Sequence, residues 1–163
     1  VISKTRSYSS QSLDPKVKHY SRLNFVLAEL EATDFDPNAI PLLLDLEGNV
    51  SESIGANFFI VQAGRLIVPR TESTLQGVSR LTIVEIAESL GIPVEEGNIQ
   101  PYDVYNADEA LLCSTPYCIL PVGHVDGRQI GPDVPGPVTN QLLAAWSERV
   151  GMDIVDQLSR LPS

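Results

Sequence analysis

Lys18 is followed, in chain order, by Glu52 and Asn57 in SESIGANFF, by Leu75 to Arg80 in LQGVSR, and by Ser114 and Thr115 in CSTPYCILPV. An amine, a carboxylate, a glycine turn entering a helix and a late pair of hydroxyls form the set needed to hold an aldehyde cofactor with a ring nitrogen and a phosphate. Each residue also has a plain reading. A lysine on residue type alone is a solvated surface charge; its chemical reading is a Schiff base, which needs an amine of depressed pKa. Lys16 competes with Lys18 in PKVKHYSRL, and periodicity does not choose between them. Glu52 is either a solvated carboxylate at a strand end or, if buried against a pyridine nitrogen, the group that keeps that nitrogen protonated.

Asn57 either orients that carboxylate or satisfies turn backbone groups. Gly77, Val78 and Ser79 open a helix at Val78. Helix N-termini carry free N–H groups and a positive dipole end, so they bind phosphate; the plainer alternative is that Ser79 is an N-cap. No GK[ST] follows, so this is not a Walker loop. Ser114 and Thr115 end a strand ahead of Pro116, where hydroxyls cap a loop or donate to phosphate. His19 and His124, with Cys113 and Cys118, match no zinc spacing, and no metal site is expected. No nucleophile elbow accompanies the two histidines, which excludes a serine hydrolase triad. Taken together, the residues fit pyridoxal phosphate.

The elements that must position these groups follow from patterning. Residues 1–13 (VISKTRSYSSQSL) are Ser-rich and read as a linker or a lead-in strand; residues 14–163 form one domain. Leu23, Val26, Leu27 and Leu30 predict a helix with those side chains buried and Arg22, Glu29 and Glu31 exposed. Ile40 to Leu46 predicts a buried strand before the Glu47-Gly48-Asn49 turn, and Asn57–Val61 with Arg65–Val68 predicts a hairpin around Ala63-Gly64. A helix is expected from Val78 to Leu90, with Leu81, Ile83, Val84, Ile86, Ala87 and Leu90 inward and a stop at Gly91. Ala110–Cys113 and Cys118–Val122 read as strands and Asp126-Gly127 as a turn. The last large helix starts near Pro137, turns Val138, Leu142, Ala145 and Trp146 inward and ends at Gly151, with a short helix within 152–160. The fold class is mixed α/β, of the α+β kind.

Composition narrows the partners. A net charge of -10 argues against nucleic acid and an anionic membrane surface. No apolar run reaches membrane-spanning length. Two cysteines make no disulfide framework, which favours a reduced, cytoplasmic setting.

These segments together resemble the class IV pyridoxal-phosphate aminotransferases, which include branched-chain and D-amino acid aminotransferases, R-selective amine transaminases and aminodeoxychorismate lyase. The resemblance covers roughly Pro15 to Val150, with its specific stretch from Glu52 through Asn57, Phe58 and Phe59 to Gly77-Val78-Ser79-Arg80. It implies that Lys18, ahead of SRLNFVLAELEA, is the Schiff-base lysine and proton shuttle, with Lys16 two positions too early. It further implies Glu52 as the pyridine-nitrogen partner with Asn57 beside it, and Leu75 packed on the ring. Gly77, Val78 and Ser79 become the phosphate-binding helix start, Ser114 and Thr115 the second phosphate contact, and GPVT at 136–139 the start of the last helix. The implied reaction moves an amino group from an amino acid, branched-chain or D type, to a 2-oxo acid. The alternatives are an aminodeoxychorismate lyase-like enzyme and a non-catalytic remnant that only binds a partner. The branched-chain enzymes carry a tyrosine shortly after the lysine, where this chain has Leu23, Asn24 and Phe25. Cys118 replaces a glutamate found in several relatives. The family architecture implies that this chain is the large C-terminal cofactor-binding domain without the small N-terminal one, inactive or weakly active alone, with that domain or a second protomer of a homodimer as partner.

Overall fold

Consecutive buried residues, with no polar alternation, mark the centre of the sheet. In a computed structural model that describes residues 1–160, β1 (Ile2–Arg6), β2 (Leu42–Leu44), β3 (Val50–Ser53), β4 (Ala56–Gln62), β5 (Arg65–Pro69), β6 (Val94–Gly97), β7 (Glu109–Ser114) and β8 (Cys118–Pro121) form one eight-stranded mixed sheet. Strand β4 lies at its heart. One edge of β4 pairs antiparallel with β7, and the other pairs with β3 at its start and with β5 at its end. A small hairpin follows, β9 (His124–Val125) with β10 (Arg128–Gln129). Five helices are described: α1 (Leu23–Phe35), α2 (Val78–Ser89), α3 (Pro101–Tyr105), α4 (Pro137–Val150) and α5 (Ile154–Ser159).

Because side chains alternate across a strand, β4 feeds two cores. Phe59 and Val61 join Leu66, Leu111, Ile83 of α2 and Leu142 and Trp146 of α4. Phe58 and Ile60 face the opposite way, with Leu42, Leu112, Ile99 and Ile130. The mixed α/β architecture agrees with the sequence. So do the Ala63-Gly64 hairpin, the α2 start at Val78, the α4 start at Pro137, and the short helix after Gly151, which closes α4 at a φ of 66°.

Helix α1 departs from expectation. Its buried residues are Asn24, Phe25, Ala28 and Ala32, whereas Leu23 is 64% and Leu30 59% exposed, with Val26 and Leu27 also outward. The cause lies in Glu31, whose carboxylate accepts from Ser3 Oγ at 2.6 Å, Lys4 N at 2.7 Å and Thr5 Oγ1 at 2.7 Å. These donors, Ser3 foremost, pull its pKa down to about 2. Clamping Glu31 onto β1 fixes the rotation of the helix. The narrow stripe of Phe25 and Ala28 then packs on Leu43, and the leucine stripe turns out. At concentrations where the chain is monomeric, a Leu27→Gln variant should therefore change unfolding free energy by under about 0.5 kcal/mol; a loss like that of a buried leucine in urea denaturation of the monomer would restore the sequence-based orientation.

Other differences are local. The strand predicted from Ile40 shrinks to Leu42–Leu44 because Asp45 Oδ1 accepts from Glu47 N at 3.0 Å and Asn49 N at 2.7 Å, forming the turn one residue early. Leu81 and Leu90 of α2 face outward, replaced inside by Ser79 and Arg80. Strands β3 and β6 and helix α3 were not anticipated; β6 is an edge strand carrying exposed Glu95 and Glu96, so no apolar pattern announces it.

Candidate active site

Register places the chemistry. Glu52 of β3 pairs with Asn57 of β4, and Asn57 with Cys113 of β7, so the three side chains form a row across one sheet face. Strand β7 ends beside them at Ser114, and α2 points its N-terminus at the same spot. Lys18, Glu52, Asn57, Leu75, Gly77, Val78, Ser79, Ser114 and Thr115 all border one open cavity of about 300 Å³. Residues up to 97 positions apart (115 − 18) thus meet at one place. A larger groove of about 470 Å³ on the other sheet face contains no lysine.

The segment before α2 is held from two sides. Glu52 accepts from Leu75 N at 3.3 Å, and Asn57 Nδ2 donates to Leu75 O at 2.8 Å. Asn57 therefore does not orient the Glu52 carboxylate, as one sequence reading had it; both residues instead grip the Leu75 backbone and hold its side chain at the cavity. Burial pushes the Glu52 carboxyl up to about 7, against the opposing pull of the Leu75 N–H and the positive Arg22. Burial likewise raises the Cys113 thiol to about 12, which leaves it an inert apolar wall.

Gly77 is the N-cap of α2 and lies against Asn57. A Cβ there would collide with the Asn57 Oδ1. Gly77→Ala should break the Asn57–Leu75 bond and cost about 2 kcal/mol of stability, read as a lower urea midpoint; an unchanged midpoint would show that the contact is slack.

Helices α2 and α4, which pack into the same core, differ at their starts. At α4, the Glu109 carboxylate accepts from Val138 N and Thr139 N, both at 2.8 Å. At α2 no side chain caps the first turn and no acidic residue stands in it. Ser79 sits inside that turn rather than capping it, so the N-cap reading of Ser79 does not hold. The first-turn N–H groups of α2 lack intrahelical partners and open on the cavity. Ser114 is buried next to them, and its hydroxyl makes no hydrogen bond of standard geometry, although the Tyr117 side chain is close enough to interact with it. Buried hydroxyls normally find a well-formed partner, so a donor without one beside open N–H groups suits an incoming anion.

The structure also separates the two lysines. Lys16 pairs with Asp14 at 3.2 Å on the surface, while Lys18 borders the cavity. Sequence reasoning missed Arg22, read only as an exposed helical residue. It borders the cavity near Glu52 and lies over the Phe25 ring at 4.5 Å. The available signal was a cation at a helix N-cap, where the dipole disfavours it. Among the described residues no cluster of three or more His, Cys, Asp or Glu could hold a metal ion.

Residues 1–125 match the family model for amino-transferase class IV. The chain belongs to the class IV aminotransferases. It is 33% identical over 148 residues to a branched-chain-amino-acid aminotransferase-like protein 2 of Arabidopsis thaliana, covering 91% of this chain and 26% of that protein. To a probable branched-chain-amino-acid aminotransferase of Thermotoga maritima it is 35% identical over 144 residues, 87% of this chain and 51% of the other. The crystal structure of the branched-chain amino acid aminotransferase from Thermobaculum terrenum in its PLP form superposes with a TM-score of 0.86 at 33% identity, over 94% of this chain and 51% of that one. This class IV aminotransferase chain therefore spans about a quarter to a half of the length of these relatives. Among the described residues no helix is long and apolar enough to cross a membrane.

Proposed function

We propose that this chain binds pyridoxal 5'-phosphate in the cavity around Lys18 and serves an aminotransferase that moves the amino group of a branched-chain-type amino acid to a 2-oxo acid. The observation that carries the reading is the meeting of Lys18, Glu52, the uncapped α2 N-terminus and the weakly partnered Ser114 hydroxyl around one cavity. The donor set fits the cofactor. The α2 N–H groups and the Ser79, Ser114 and Thr115 hydroxyls would take the phosphate. Leu75 would cover one face of the ring and exclude water. Glu52 would hold a proton at the ring nitrogen, and that cation is what a carboxyl strained upward by burial lacks. In this reading residues 14–163 are the cofactor-binding domain, and residues 1–13 lead into it.

When bound, the cofactor supplies an aldehyde that carries nitrogen and a ring that spreads the electrons left by a departing proton. Lys18 Nζ removes the proton from the α-carbon of the amino acid and returns it to complete the transfer, acting as base and then acid. The donor would leave as its 2-oxo acid, with water supplying the new carbonyl oxygen, and a second 2-oxo acid would take the nitrogen by the same steps reversed, returning that water. The cytoplasm and a second protomer belong to the same reading, the latter because Leu23, Leu27 and Leu30 leave an apolar face on α1 exposed.

The test adds pyridoxal 5'-phosphate to the folded chain and follows its visible absorbance. A band distinct from the free aldehyde should appear, then decay when leucine is added, with stoichiometric release of the 2-oxo acid. Folded protein that leaves the spectrum unchanged would sink the proposal.

A further inference from the structure

We propose that Arg80 is a positioning residue that charges the anion site: from inside the first turn of α2 it makes the uncapped helix start hold a phosphate group without touching it. The proposal rests on the site reading above and deepens it. Ser79, Ser114, Thr115 and the α2 backbone, which take the phosphate in that reading, are all neutral.

A cation is out of place where Arg80 stands. It is the third residue of α2, where the helix dipole repels positive charge, and it is buried, where water screens little. Its compensation is partial. Arg80 Nη2 donates to Glu96 Oε2 at 3.0 Å and to Pro69 O at 3.4 Å, while its Nε–H makes no hydrogen bond. The Glu96 side chain is 44% exposed, so solvent weakens its hold on the guanidinium. Positive potential is therefore left at the start of α2, and an anion there meets it together with the free N–H groups. Helix α4 is built the other way. Its first turn holds no basic residue, and the Glu109 carboxylate already occupies its N–H groups.

Arg80 acts on the cavity from behind its wall. Cys113 borders the cavity, and the Arg80 charge reaches its thiol and opposes the upward push of burial. Arg80 itself is not among the bordering residues, so its influence there is a field rather than a contact. The Glu96 carboxylate also accepts from Thr71 N at 3.3 Å, which ties the start of the 70–77 segment to Arg80. A purely mechanical brace is thus the competing role, and it predicts a different dependence on ligand and on charge.

The experiment titrates the full chain with pyridoxal 5'-phosphate and with pyridoxal, which lacks the phosphate, at low ionic strength, and follows binding by absorbance. Wild type, Arg80→Met, Arg80→Lys and Glu96→Gln are compared. Arg80→Met should weaken pyridoxal 5'-phosphate about tenfold and pyridoxal by no more than about twofold, and Arg80→Lys should restore most of the loss. Glu96→Gln keeps an acceptor for Arg80 but removes the neutralising charge, so it should tighten pyridoxal 5'-phosphate about threefold. That gain decides the matter even if Arg80→Met does not fold, because a brace that loses its carboxylate only loosens. Equal losses for both ligands in Arg80→Met, or no gain in Glu96→Gln, would overturn the inference alone. Wild-type protein that binds neither ligand would overturn it together with the reading beneath it.

Discussion

Lys18→Ala should lower amino transfer by at least about a thousandfold, the upper part of the range for loss of a positioned general base, while the protein keeps its fold. Lys18 lies in the segment ahead of α1, makes no contact that the cores depend on, and borders the cavity where the phosphate donors and Glu52 converge. Removing the amine removes both the covalent anchor and the proton carrier, and no neighbour replaces it. Lys18→Arg should be equally inactive, because a guanidinium keeps the charge but cannot bond to the aldehyde or give up its proton. Lys16→Ala is the control: its side chain pairs with Asp14 on the surface, so transfer should stay within about twofold of wild type. Single-turnover rates on protein loaded with pyridoxal 5'-phosphate measure all three. Comparable losses at Lys16 and Lys18 would show that neither is the anchor.

Glu52 governs the second large effect. Its carboxyl is buried and its pKa is raised from 4.5 to about 7. Between those two values the folded protein binds a proton that the unfolded chain does not, so stability falls as pH rises. The stabilising contribution is fully present below about pH 4.5 and is lost as pH climbs through about 7. The gap corresponds to about 3 kcal/mol at 1.36 kcal/mol per unit. Cofactor-free protein should therefore lose about that much unfolding free energy across this window, and Glu52→Gln, which carries no titrating proton, should lose far less. Parallel urea-denaturation profiles for the two proteins would contradict the assignment. Amino transfer by Glu52→Gln should also drop by about a hundredfold, since an amide cannot keep the ring nitrogen charged.

The cofactor set was legible because it follows chain order with local signals. Gly77 before Val78 announces a helix start, Pro137 another, and the glycine turn before Glu52 puts a carboxylate just ahead of the apolar hairpin. What the sequence could not carry was orientation. The leucine spacing in α1 satisfies the rule for a buried face, yet the clamp of Ser3 and Thr5 on Glu31, 28 and 26 residues apart, decides which side turns inward. Asn57 was legible as a site residue but not as the donor to Leu75 O, because that bond spans a turn whose path no periodicity describes. Arg22 was hidden for the same reason. On a helical wheel it is one more surface cation beside Phe25, and only the fold brings it to Glu52.

The chain has three lysines, Lys4, Lys16 and Lys18, which makes the central claim directly measurable. The folded protein is mixed with an equimolar amount of pyridoxal 5'-phosphate, reduced with borohydride, digested and sequenced by mass spectrometry. The phosphopyridoxyl group should sit on Lys18 alone. Its appearance on Lys16, or its even spread over the three lysines, would contradict the account.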